Sequence, residues 1–119
     1  ERVEQITAGV AQAMGCGAEV SIQRLTPPVV NDPAVAERVT RAARELLPGH
    51  TIDSAYRTMV SEDMASIMQQ APGCYFLVGS ANSARGLDYG HHHPRFDFDE
   101  DALPWGAALM ARAALDLLR

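Results

Sequence analysis

Two adjacent prolines, Pro27 and Pro28, constrain the architecture more than any other feature of this chain. Each fixes its φ angle and lacks an N–H donor, so the pair fits neither a helix interior nor a central strand. Upstream, Val3, Ile6, Val10 and Met14 fall at helical spacing across residues 2–14, and Gly15 and Gly17 follow as stop signals. Residues 18–25 then alternate polar and apolar around Val20 and Ile22, the pattern of a half-buried strand. One helix and one strand cannot enclose a core. The segment up to Pro28 is therefore expected to be the end of a unit completed elsewhere. Glu1–Glu4 read as mid-helix, with no Met and no capping residue before them, which fits a piece of a longer protein.

Downstream of the prolines the pattern changes to alternating helices and strands. Asp32 before Pro33 is a helix start, with a side-chain cap followed by a residue whose φ already suits a helix. Val35, Val39, Ala42, Ala43, Leu46 and Leu47 form its apolar stripe, and Pro48-Gly49 ends it. Residues 51–57 read as a short strand. Ser61 reads as the N-cap of a helix over 62–70, with Glu62 and Asp63 in its first turn. The run Cys74-Tyr75-Phe76-Leu77-Val78-Gly79 has no polar alternation, as expected of a strand covered on both faces. Residues 80–98 are irregular. A last helix begins at Asp99 or Asp101, with Pro104 in its first turn and Leu103, Ala107, Met110, Ala114 and Leu117 as its apolar positions. The order implies an α/β fold.

Composition narrows the function classes. The net charge is −5 and all ten basic residues are Arg, which argues against nucleic acid as the main partner. No apolar run approaches the roughly 18–20 residues that cross a bilayer, and the N-terminus has no signal-peptide core. Cys16 and Cys74 lie far apart, with neither disulfide-framework nor CxxC spacing, and Cys74 reads as a packed, inert thiol. A cytoplasmic location is the default expectation.

Candidate chemistry concentrates in His91-His92-His93-Pro94-Arg95-Phe96-Asp97-Phe98-Asp99-Glu100. Imidazoles here lie between a strand and a helix, where α/β sheets place ligand sites. Neutral imidazole ligates borderline divalent metals. Neighbouring side chains of an extended segment point to opposite faces, so the three histidines are not expected to hold one ion together. A site would use one of them with ligands from elsewhere; the alternative is a solvated loop. A second candidate is the Ser61 helix start, whose free N–H groups could hold a carboxylate or phosphate, or simply be capped by Ser61. Asn31 could contact a ligand or shape the crossing. Arg57 and Arg95 could fork onto a carboxylate or form ordinary ion pairs. Trp105 and Phe96 read as packing residues.

Four segments in this order resemble the amidohydrolase branch of the M20 metallopeptidase family, which includes hippurate, N-acyl-amino-acid and auxin-conjugate hydrolases. They are Pro27-Pro28-Val29-Val30-Asn31-Asp32, Ser61-Glu62-Asp63, Pro72 to Gly79, and His92 to Glu100. The resemblance spans essentially the whole chain. It implies the C-terminal part of a phosphorylase/hydrolase-like zinc-peptidase catalytic domain (residues 29–119), preceded by the end of an α/β lid or dimerisation domain (residues 1–28). It implies that His92 ligates one ion of a two-metal site of Zn, Mn or Co; Ser61 and Asn31 stay candidate substrate contacts beside their cap and turn readings. It also implies a homodimer that cleaves the amide bond of N-acyl amino acids or small peptides. His91 and His93 depart from the family pattern, which has an apolar and a small polar residue there, and Val60 stands where relatives have Gly. The remaining ligands and the general-base glutamate belong to segments upstream, so no catalytic residue is assigned here and the chain alone is expected to be inactive. A non-catalytic binding or assembly module of the same fold, and a His-rich metal-binding domain, are the competing expectations.

Overall fold

The computed structural model describes residues 1–118. Its regular elements are helices α1 (Arg2–Ala13), α2 (Pro33–Leu46), α3 (Met64–Met68) and α4 (Leu103–Leu117), with 3-10 turns at Ser83–Arg85 and Glu100–Ala102. The helix ends follow the local chemistry of the sequence. Gly15 has φ +67°, and beside it Cys16 N–H donates to Ala11 O at 2.8 Å and Gly15 N–H to Gln12 O at 3.1 Å. This is the Schellman closure, and it needs the left-handed conformation that glycine adopts without a Cβ clash. At the start of α2, Asp32 Oδ1 accepts from Val35 N–H at 3.0 Å, with Pro33 at the first helical position.

The core is the contact between α2 and α4. Ala42 is fully buried, and with Ala43 and Leu109 it forms a small cluster against which Leu46 and Phe76 pack. Small side chains on α2 let the two helices approach closely. Arg112 on α4 bridges to Glu45 on α2 and to Asp116 one turn on, closing the open edge of the pair. Leu109 and Ala113 are the buried residues of α4. The stripe expected from sequence, Leu103, Ala107, Met110, Ala114 and Leu117, faces outward instead. The helix is apolar on two sides, and α2 covers only one of them.

The three segments expected as strands form no ladder. Among the described residues the only β pairing is the isolated bridge between Asn82 and Leu87. A strand is stabilised by its neighbours, and no two of these segments lie side by side. Residues 74–79 were expected to be covered on both faces; instead Leu77 is 54% and Val78 41% exposed. Val3, Ile6, Val10 and Met14 of α1 are exposed as well. The radius of gyration is 20.0 Å, against about 13–14 Å for a compact chain of this length. The apolar patterning of this sequence thus extends well beyond the surface that the chain buries.

Candidate metal centre

Residues 80–99 form a closed loop whose two ends are fastened together. Asp99 N–H donates to Ser80 O at 2.8 Å. The Asp99 carboxylate accepts from the Asn82 side-chain amide through Oδ2 and from Arg85 Nη1 through Oδ1, the latter at 2.7 Å. Oδ1 also accepts from Asp101 N–H at 3.2 Å, which caps the 3-10 turn leading into α4. Asn82 Oδ1 in turn caps the Ser83–Arg85 turn, and Gly86 at φ +71° ends it. The Asn82 hydrogen bond and then the Asp101 N–H hold the Asp99 carboxyl below its ordinary range, with a lesser contribution from Arg85, against an opposing effect of burial that outweighs the Arg85 charge. The sequence reading assigned Asp99 only a helix-start role. Nothing in the spacing brought Asn82 to it.

The tip of this loop carries the histidines, and it is built from two turns. His93 N–H donates to Gly90 O at 3.2 Å, and Phe96 N–H donates to His93 O at 2.9 Å. The second turn has Pro94 at the position where a fixed φ is favoured. In the first turn His92 occupies the third position with φ +68°, the one non-glycine residue with positive φ among those described. A turn with positive φ only at that position has the sign pattern of type II, which ordinarily selects glycine there. The segment is therefore turned, not extended, which corrects the alternation argument made from sequence. The imidazoles separate for a different reason, which is their ring partners. His91 meets Phe96 edge-on at 5.0 Å between centroids. His93 stacks on Tyr89 at 4.4 Å, and the Arg95 guanidinium lies 4.6 Å from the same Tyr89 ring. His93 Nδ1 accepts from Arg95 N–H at 3.1 Å, which leaves the proton of the neutral ring on Nε2. His92 is exposed, and it has no ring or hydrogen-bond partner among the described residues.

An exposed imidazole at a turn tip is the kind of donor that fits one position of a metal site. Among the described residues no three His, Cys, Asp or Glu side chains converge as an ion-binding group.

The other candidates lie elsewhere. Ser61 is exposed and does not cap a helix; α3 starts at Met64 with Asp63 as its N-cap. Glu62 takes over the role assigned to Ser61, because its Oε1 accepts from Met64 N–H at 3.2 Å. Glu62 Oε2 accepts from Tyr75 Oη–H at 2.9 Å, a bond that raises the phenol's pKa. Asn31 spends both ends of its amide on the backbone of Tyr75. Its Nδ2 donates to Tyr75 O at 2.9 Å, and its Oδ1 accepts from Tyr75 N–H at 2.8 Å. Asp32 N–H donates to Gly73 O at 2.9 Å beside it. Asn31 thereby replaces two ladder bonds and ties the Pro-rich crossing to the 73–76 segment. Arg57 donates to the nearby carbonyls of Ser54 and Tyr56. Burial raises the Cys74 thiol pKa, as expected for an inert packed cysteine.

Residues 2–116 match the family model described as peptidase family M20/M25/M40. The chain belongs to this family. A protein of Bacillus subtilis named as an amidohydrolase, YhaA, is 29% identical over 115 residues, covering 97% of this chain and 29% of that protein. Thermostable carboxypeptidase 1 of Saccharolobus solfataricus is 29% identical over 114 residues, 95% of this chain and 28% of its own length. IAA-amino acid hydrolase ILR1-like 4 of Arabidopsis thaliana is 31% identical over 118 residues, 96% of this chain and 27% of its own. The M20 chain thus spans less than a third of the length of these relatives. No helix among the described residues is long and apolar enough to cross a membrane.

Proposed function

We propose that this chain is the C-terminal part of a metal-dependent amidohydrolase that cleaves the amide bond of N-acyl amino acids or small peptides. On this reading residues 1–28 end a lid domain, and residues 29–119 complete an α/β catalytic domain with a sheet contributed from upstream. The supporting observation is the position of His92. Of three consecutive histidines in a hydrolase-family chain, two are engaged by aromatic neighbours, and the third stands at a turn tip with left-handed backbone. Backbone held in a sparsely populated region is a marker from which function is inferred. When bound, divalent cations such as Zn, Mn or Co supply Lewis-acid polarisation of the carbonyl and acidification of water. His92 would offer one neutral nitrogen to such an ion. The exposed faces of α1, α4 and residues 74–79 suit coverage by the rest of the catalytic domain and by a second subunit of a cytoplasmic homodimer.

The test is hydrolysis of a panel of N-acyl amino acids by the intact protein that carries this chain. His92→Ala is expected to lower kcat/KM at least a hundredfold, with His91→Ala and His93→Ala within tenfold of wild type. The 119-residue chain supplied with Zn, Mn or Co is expected to be inactive. Metal-dependent hydrolysis by that isolated chain, or full activity of His92→Ala, overturns the proposal.

A further inference from the structure

We propose that Asp99 is a positioning residue for His92, acting as the clasp of the loop that presents it; this rests on the reading of His92 as a metal ligand. Three contacts on Asp99 close the neck of the loop. Its N–H reaches Ser80, one carboxylate oxygen takes the Asn82 amide, and the other takes Arg85 Nη1 at 2.7 Å. The carboxylate side chain is 14% exposed and its Arg85 partner 59%, so the clasp is a half-buried set of charge-assisted hydrogen bonds. The same residue caps the turn that enters α4, which joins the neck to the α2–α4 core.

Between neck and tip, the hydrogen bonds and ring contacts found among the described residues run within the loop. They are the Asn82–Leu87 bridge, two reverse turns, the stacked Tyr89–His93 pair, the edge-on His91–Phe96 pair and the tilted Phe96–Phe98 pair. Of these residues only Phe98, next to the neck, lines a pocket with Leu103 and Met110 of α4; the ring pairs and turns at the tip itself join loop residues to one another. The direction in which His92 points is therefore inherited from how the two ends meet, and Asp99 sets that. Partners that orient a ligand without touching the metal typically change affinity ten- to a hundredfold when removed.

The experiment compares wild type, Asp99→Asn, Asn82→Ala and His92→Ala in the intact protein. Co2+ titration against a competing chelator, the Co2+ d–d absorption envelope and amide hydrogen exchange are the readouts. Asp99→Asn and Asn82→Ala are expected to speed exchange across residues 87–96 about tenfold. They are also expected to weaken Co2+ binding about ten- to a hundredfold and to alter the absorption envelope, with exchange in α2 and α4 unchanged. Faster loop exchange with wild-type affinity and envelope overturns the positioning role. Weaker binding accompanied by equally faster exchange in α2 and α4 also overturns it, because that is general destabilisation. Should Asp99→Asn fail to fold, Asn82→Ala decides alone, since it removes a neck bond and leaves the Asp99 cap in place. Wild-type Co2+ affinity and envelope in His92→Ala identify failure of the ligand reading itself, whatever the Asp99 variant does.

Discussion

Replacing His92 with glycine separates stability from metal binding. At φ +68° a side chain with a Cβ crowds its own backbone. The left-handed region costs a non-glycine residue about 1–2 kcal/mol. Glycine removes that cost but brings a more flexible unfolded chain, worth roughly 0.5–1 kcal/mol in the opposite direction. The net expectation in metal-free protein is that His92→Gly equals or exceeds wild type by up to about 1.5 kcal/mol. Alanine retains the Cβ and loses only the imidazole, which has no partner among the described residues, so His92→Ala should fall about 1 kcal/mol below His92→Gly. With excess chelator, urea unfolding of the three proteins measures these differences directly. Metal then reverses the order. An ion present at a hundred times its dissociation constant stabilises the protein that binds it by about 2.7 kcal/mol. Wild type should gain that increment, and both variants should gain far less. If His92→Gly is less stable than His92→Ala in chelator, the strain argument is refuted. If all three gain equally from metal, the ligand assignment is refuted.

Asn31→Ala removes two exposed hydrogen bonds to Tyr75 and should cost about 1–2 kcal/mol, seen as a lower Tm with KM unchanged; a raised KM at wild-type Tm would make Asn31 a substrate contact instead. Asn31→Asp sets a carboxylate against the Tyr75 carbonyl, so its deficit should be larger at pH 7 and shrink below about pH 4, where a protonated carboxyl can donate again. Leu109→Ala opens the α2–α4 contact and should cost about 2–4 kcal/mol by denaturant unfolding, whereas Met110→Ala, on the outward face, bears on unfolding only through whatever covers that face. The Asp99 carboxyl should titrate below about 3.9 in carbon-detected NMR, and Asn82→Ala should raise that midpoint more than Arg85→Ala, because the Asn82 bond is its largest cause. Since the folded pKa lies below the unfolded one, the neck's contribution is fully present above about pH 4 and is lost as pH falls through the folded value.

Local rules carried the reading of this chain where one residue and its near neighbours decide the outcome. Asp32 with Pro33 gave α2 its start, and Gly15 gave α1 its end. The apolar stripe of α2 was read correctly because its buried face, Val39, Ala42 and Ala43, needs only one partner helix. For α4 the apolar positions alone did not single out the buried face of Leu109 and Ala113, since a helix apolar on two sides does not say which side meets α2. Ser61 was given a cap that Glu62 makes, a choice between two oxygens one residue apart that spacing cannot settle. The strand patterns at 18–25, 51–57 and 74–79 describe side chains suited to a sheet, and a sheet needs neighbours that these segments do not provide for one another. Asp99 was hidden because its partners, Asn82 and Arg85, lie 17 and 14 residues away.

The contrast between the core and the loop has a physical basis. Burial in the α2–α4 pair joins residues more than 60 positions apart, as the Glu45–Arg112 bridge at a separation of 67 illustrates. Such contacts form only after a long stretch of chain is ordered. The histidine loop is closed by bonds no longer than the Ser80–Asp99 separation of 19, and its tip by turns of four residues. Its geometry is therefore specified by sequence-local chemistry: an Asx cap, a proline at a turn's second position, stacked rings and one charged clasp. On the proposed reading, a ligand carried on this loop takes its shape before a sheet contributed from elsewhere is complete. That ordering would suit a centre whose other donors come from distant parts of a longer chain, because the turns around His92 are closed by neighbouring residues.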